Sequence, residues 1–165
     1  MVKFLLLALA FGLAHAHAEI EGKWVTTAIA ADNADIIEEG QPLRLYVREL
    51  ACTEACNRLK FTFYTKVNGQ CTKTKVIANR QADDQYRARF EGDNIIVPVY
   101  VTPEIIIFVV QNVNRTGRKT NLIYVLGKGQ SLTSVQYEKL EEFAKVQNIP
   151  RKNIQDILAT DICPK

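Results

Sequence analysis

What most limits the folds open to this chain is a period of two that recurs along its middle. In PLRLYVREL, Leu43, Leu45 and Val47 alternate with Arg44, Tyr46 and Arg48, and in KFTFYTKV, Phe61 and Phe63 alternate with Thr62 and Tyr64. Successive side chains of a strand point to opposite faces, so each segment reads as a half-buried strand of an antiparallel sheet. VNGQ carries Asn68-Gly69, the pair suited to a type I′ hairpin turn, and CTKTKVIANR follows as the next strand. YRARFEG sets Tyr86, Ala88 and Phe90 against Arg87 and Arg89; after an Asp93-Asn94 turn, NIIVPVYV, EIIIFVVQNV and LIYVLGKG continue the series. With the segment around Trp24 these make eight short strands, joined mostly by tight turns.

The period changes once, in LTSVQYEKLEEFAKVQN. There Val135, Leu140, Phe143, Ala144 and Gln147 fall near one helical face, and Glu138, Lys139, Glu141, Glu142 and Lys145 lie mainly around the rest. Thr133 and Gln136 form a capping-box pattern at the start, and Pro150 stops the helix. Eight consecutive antiparallel strands and then a helix predict an all-β fold, an eight-stranded up-and-down barrel with one C-terminal α-helix packed outside. Closure removes the sheet edges, and a barrel of that size has room for packed side chains or one small ligand. Alternation turns Leu43, Leu45, Val47, Phe61, Phe63, Val76, Ala78, Tyr86, Ala88 and Phe90 inward. The pattern leaves open whether they fill the interior or surround a ligand.

The front of the chain is of a different kind. MVKFLLLALAFGLAHA has Lys3, an apolar run from Phe4 to Leu13, and Ala14-His15-Ala16 as a small-x-small cleavage site. It reads as a secretory signal peptide, too short to cross a bilayer as a mature helix, with cleavage after Ala18 as the second choice. Residues 1–16 are expected to be removed, leaving residues 17–165 as a single secreted, extracellular domain. The net charge of +3 becomes about +2 when Lys3 leaves. A nearly neutral chain with dispersed basic residues gives no electrostatic reason to expect nucleic acid or an anionic membrane as partner, and no further segment is long enough to insert. Arg44, Arg48, Arg87 and Arg89 belong on the outer faces of strands.

Cys52, Cys56, Cys71 and Cys163 all lie in the part expected to be exported, where thiols oxidise. Sequence permits three pairings. The closeness of Cys52 and Cys56 makes a local bridge natural, and Cys71 would then join Cys163. That second bridge closes a loop of about ninety residues, for which chain entropy gives about 4 kcal/mol. A metal site would need further thiols or histidines, and beyond the leader only His17 remains, so neither metal nor cofactor is implied.

Gly22-Lys23-Trp24 on the first strand resembles the Gly-x-Trp signature of the lipocalins. The resemblance implies that Trp24 closes the bottom of the barrel beneath a basic side chain from the end of the last strand, here Lys128 where that family usually has arginine. LYVREL, Cys52-x-x-x-Cys56, the segment from Tyr86 to Gly92, QNVN at Gln111 to Asn114, and EKLEEFAK look like segments of the odorant-binding protein and aphrodisin-like pheromone-carrier subfamily. That subfamily also implies the Cys52–Cys56 and Cys71–Cys163 pairings. The Thr-Asp-Tyr motif expected near the turn between the sixth and seventh strands is absent.

Carried onto this chain, the resemblance implies a cavity walled by Leu43, Leu45, Val47, Phe61, Phe63, Val76, Ala78 and Phe90. Phe108, Val110, Asn112 and Tyr124 would supply the opposite wall and the polar handles, and Tyr86 would stand near the mouth as a gate. The implied function is reversible capture of small hydrophobic volatiles, with a receptor as a further partner and a monomer or weak homodimer as the assembly. Two readings from other classes stand beside it. One is a protein that acts through its surface on a protease or receptor, and the other a lipid isomerase using a free cavity thiol. The second lacks a spare cysteine, and the shortage of histidine also argues against a Ser/His/Asp set, so the chain reads as a non-enzyme. Asn114-Arg115-Thr116 is a glycosylation sequon in a turn.

Overall fold

The computed structural model describes residues 20–165. The predicted leader of residues 1–16 and the mature N-terminus at His17 lie outside the described residues. Ten strands form one antiparallel sheet: β1 (Gly22–Lys23), β2 (Val25–Ala31), β3 (Tyr46–Thr53), β4 (Arg58–Val67), β5 (Gln70–Arg80), β6 (Tyr86–Arg89), β7 (Asp93–Val101), β8 (Ile106–Val113), β9 (Lys119–Gly127) and β10 (Ile154–Asp156). All eight predicted strands are present. The count rises because the Trp24 segment is interrupted at the indole and because β10, a short piece of the tail, adds to β2.

Closure follows from that interruption. β1 pairs with β3, β2 pairs with β9, and the meander from β3 to β9 runs between them, so one stretch of chain touches both of its ends. The seam continues through Trp24, whose backbone N–H donates to the Arg48 carbonyl at 3.0 Å, and through Val47, whose N–H donates to Thr26 Oγ1 at 3.0 Å. Gly22 sits at φ +140°, a conformation that a side chain would strain, and this is the physical use of the glycine two residues before the tryptophan. Trp24 itself is 2% exposed. Its indole N–H donates to the Ile20 carbonyl at 2.8 Å, while Lys128 Nζ stands 3.6 Å from the ring centroid and donates to the Lys23 carbonyl. The Asn68-Gly69 turn has φ of 52° and 79°, both in the left-handed region that a type I′ hairpin requires.

The alternation of β3 is reset by a bulge between Val47 and Glu49, where Arg48 is the extra residue and after which Leu50 is fully buried. The outer face of this strand is not left to solvent. Arg44 and Tyr46 are buried because the C-terminal tail crosses over them. Arg44 donates from Nη1 to the Ile37 carbonyl at 2.9 Å and to Gln155 Oε1, and from Nη2 to Thr160 Oγ1 at 2.9 Å. Arg48 grips Asp161 through two bonds of 2.7 Å and also reaches the carbonyls of Cys163 and Pro164. Both arginines therefore lie on the expected outer face but act as clamps. Arg87 and Arg89 are exposed as expected.

The disulfides are Cys52–Cys56 and Cys71–Cys163, the latter fixing the end of the tail to the start of β5. Helix α1 (Ser134–Val146) opens on the predicted capping box, with Thr133 Oγ1 accepting from the Gln136 N–H and Gln136 Oε1 from the Thr133 N–H. Leu140, Phe143 and Ala144 are buried in a second apolar layer with Ala28, Ala30, Val99, Ile123 and Val125 on the outside of the sheet. Leu132, Gln136, Leu140 and Phe143 face the groove beside that sheet, so Val135 falls off the stripe and is 59% exposed. No helix among the described residues is long and apolar enough to cross a membrane.

The Trp24 contact yields a direct test. Lys128→Met removes the cation over the indole and should cost about 1 kcal/mol of stability. Urea unfolding followed by Trp24 fluorescence should show an earlier midpoint with an unchanged slope.

Candidate functional site

The strands alternate direction, so the connections sort to two ends. Residues 102–105 and the turns at residues 54–57 and 81–85 share the end where Trp24 lies, while the turns at residues 68–69, 90–92 and 114–118 share the other with the long β2–β3 connection. That connection, residues 32–45, folds across its end. Ile37 is fully buried there and Leu43 nearly so. Asp35 accepts two bonds of 2.9 Å from Arg118, tying the connection to the β8–β9 turn, and Glu39 pairs with Lys66 at the end of β4. Asn33 Nδ2 donates to Thr120 Oγ1 at 2.6 Å on the same side.

Between the two ends lies a cavity of about 70 Å³ with an almost wholly apolar lining. Leu43 and Leu45 line it from the end of the β2–β3 connection, Val47 from β3, and Phe61 and Phe63 from β4. Val76 comes from β5, Ala88 and Phe90 from β6 and its turn, Asn94 and Ile96 from β7, Phe108 and Val110 from β8, and Tyr124 and Leu126 from β9. Phe61 meets Phe108 edge to face at 5.6 Å between centroids, and Phe63 meets Phe90 at 5.1 Å. Such crossed rings pack favourably and brace the walls from strands far apart in the sheet.

Only two lining side chains are polar. The Tyr124 hydroxyl donates to the Leu43 carbonyl at 2.7 Å, and burial pushes this phenol well above its ordinary pKa of 10.0. Asn94 donates from Nδ2 to the carbonyls of Phe90 at 2.9 Å and Ala88 at 3.2 Å, and its Oδ1 accepts from Asn112 Nδ2 at 2.9 Å.

Of the residues predicted for the cavity, Leu43, Leu45, Val47, Phe61, Phe63, Val76, Phe90, Phe108, Val110 and Tyr124 line it, and three do not. Ala78 is fully buried in the wall, paired with Leu59 near the Trp24 end of the sheet. Tyr86 begins β6 at that same end, far from the mouth, and its hydroxyl donates to the Cys56 carbonyl at 2.8 Å. A barrel strand's starting end is decided by the number of strands before it, so Tyr86 anchors the β3–β4 turn where a gate had been expected. Asn112 stands opposite Asn94 on the same face, buried beside the cavity, donating to the Glu91 carbonyl and to Asn94. Asn94, Ile96, Ala88 and Leu126 complete the lining. Ala88 lies on the predicted inward face, whereas the sequence pattern places Asn94 in a turn, and only the pairing with Asn112 brings it inward.

At the Trp24 end, Gly22, Trp24 and Lys128 stand together as described above. Asn114 shapes the β8–β9 turn, its Oδ1 accepting from the backbone N–H groups of Thr116 and Arg118 and from the Thr116 hydroxyl. No group of metal-ligating side chains occurs among the described residues.

The sequence model of the lipocalin / cytosolic fatty-acid binding protein family matches residues 21–161. An odorant-binding protein of Phodopus sungorus is 59% identical over 149 residues, which are 90% of this chain and 99% of that protein. The crystal structure of aphrodisin, a sex pheromone from female hamster, superposes with a TM-score of 0.86 at 47% identity, covering 89% of this chain and 100% of that one. A bovine odorant-binding protein solved in complex with undecanal superposes with a TM-score of 0.64 at 28% identity, covering 89% and 94%.

The buried phenol predicts an alkaline limit to stability. Below pH 10.0 Tyr124 is neutral whether the chain is folded or not, and above it the unfolded chain loses a proton that the fold retains. Stability should therefore fall as pH rises past 10. A near-ultraviolet titration should show Tyr124 ionising only with cooperative unfolding, and Tyr124→Phe should remove its share of that late step.

Proposed function

The chain belongs to the lipocalin family, and on that footing we propose that it is a secreted carrier that reversibly binds small hydrophobic volatiles in its barrel. The observation that carries this reading is the apolar cavity, whose two polar side chains are already hydrogen-bonded within the protein. Water entering such a space finds few partners, while an apolar guest gains about 25 cal/mol for each Å² of apolar area it withdraws from water. After the costs of association, a molecule of ten to twelve carbons should bind with about micromolar affinity. The undecanal complex of the bovine relative supports the size class.

Leu43, Leu45, Val47, Phe61, Phe63, Val76, Phe90, Phe108, Val110 and Tyr124 are proposed to contact the ligand, with Asn112 acting through Asn94. Ala78 and Tyr86 are left with structural duties. A thiol-dependent isomerase lacks its nucleophile, since all four cysteines are in disulfides. Removal of residues 1–16, export, and a glycan on Asn114 belong to the same proposal. The tail, fixed to its own barrel by Cys71–Cys163 and by Arg48–Asp161, favours a monomer over exchange of that tail between copies.

The oxidised domain should take up 1-aminoanthracene saturably and release it to ten-carbon volatiles at about micromolar concentration. Val110→Trp, which fills the cavity, should weaken uptake by about tenfold or more. A folded protein that takes up no probe would move the reading to surface recognition. Protein secreted from mammalian cells should begin at His17, and its mass should drop on treatment with an N-glycosidase.

A further inference from the structure

We infer that the cavity selects for a hydroxyl group, holding an aliphatic alcohol in preference to an aldehyde or ether of the same chain length. This rests on the carrier reading and concerns how the two polar side chains of the cavity treat a guest's own polar atom.

The side chains lining the cavity have no free donor. Both amide hydrogens of Asn94 are used, one on the Phe90 carbonyl and one on the Ala88 carbonyl, and the Tyr124 hydrogen lies on the Leu43 carbonyl. The orientation of the Asn94 amide is fixed by these partners, because turning it over would set its oxygen against two carbonyl oxygens. The same logic fixes Asn112, whose nitrogen faces both the Glu91 carbonyl and Asn94 Oδ1. What remains is acceptor capacity. A carbonyl oxygen takes two bonds and Asn94 Oδ1 is given one by Asn112, while Tyr124 Oη donates its hydrogen and keeps a lone pair. Every other lining side chain is a hydrocarbon.

A guest with a hydroxyl can give its proton to Tyr124 Oη without breaking a bond already made. A guest whose polar atom only accepts meets no side-chain donor, so it leaves its hydrogen bonds in water without replacement. Tyr124 and Asn94 are thus specificity-determining residues through the direction in which their hydrogens are spent. Either could donate only by abandoning a buried backbone carbonyl, which carries its own penalty.

The test uses the oxidised domain and measures displacement of 1-aminoanthracene by octan-1-ol, octanal and octane. Octan-1-ol should bind about five- to tenfold more tightly than octanal, the ratio that one ordinary hydrogen bond supplies. In Tyr124→Phe that ratio should fall. Octanal binding as well as octan-1-ol, or a ratio unchanged in Tyr124→Phe, would overturn the inference while octane's displacement still upheld the carrier. Failure of all three to displace the probe from folded protein would overturn the carrier reading and this inference with it.

Discussion

The first strand of this protein has to satisfy two partners at opposite ends of the same sheet, and the barrel exists only because it does. Gly22–Lys23 completes the ladder of β3 and Val25–Ala31 that of β9, with Trp24 at the crossing between them. A sheet that failed to close here would expose two rows of unpaired backbone groups. The indole fills the end of the barrel at this point, its N–H is satisfied by Ile20, and Lys128 covers its face. Backbone pairing, side-chain packing and a cation–π contact thus converge on one residue, which is why the chain's one tryptophan stands there and not in the cavity.

Closure leaves the outer faces to be managed, and the protein covers two of them. Helix α1 lies on β2, β7, β8 and β9 through a second apolar layer, and the C-terminal tail lies on β3 and β4. The tail is held by ion pairing, by the Cys71–Cys163 bridge, by the β10–β2 ladder and by the buried Ile154 and Ile157. Arg48 and Asp161 are both nearly buried, so their bidentate contact is less exposed to screening by salt than the pairs Asp35–Arg118 and Arg87–Asp93 at the surface. The barrel's end and outer surface in this way add to the stability supplied by the apolar cluster inside the barrel. The inner wall is left free to stay imperfectly filled.

That freedom is what the site depends on. Close packing is the rule inside proteins, and a void lined by rings persists only where neighbouring strands hold the walls apart. Here crossed phenyl rings brace the walls, and backbone carbonyls absorb the donors of Tyr124 and Asn94. The interior therefore offers an almost wholly apolar surface whose polar side chains have spent their donors, and it discourages water from settling in the void.

Much of this was legible along the chain, because alternation with a period of two names the inward face of a strand without any knowledge of its partners. Phe61 and Phe63, Leu43 and Leu45, the Asn68-Gly69 turn and the helix cap are local patterns, and the structure keeps them. The proximity of Cys52 and Cys56 set the first disulfide in the same local way. Other features are sums over the whole fold. Tyr86 shares its inward face with Phe90, yet the order of the turns puts it at the Trp24 end and gives its hydroxyl to Cys56. Arg44 and Arg48 read as outer-face residues, but only the path of the tail more than a hundred residues later makes them buried clamps. Asn94 and Asn112 look alike in sequence, and only the register sets them opposite each other on the inward face, where Asn94 borders the void. The sequence by itself determined which side chains turn inward, since strand geometry is local. Tertiary structure decided which inward residues border empty space and which donors remain unspent, because both depend on atoms brought together from strands distant in the chain.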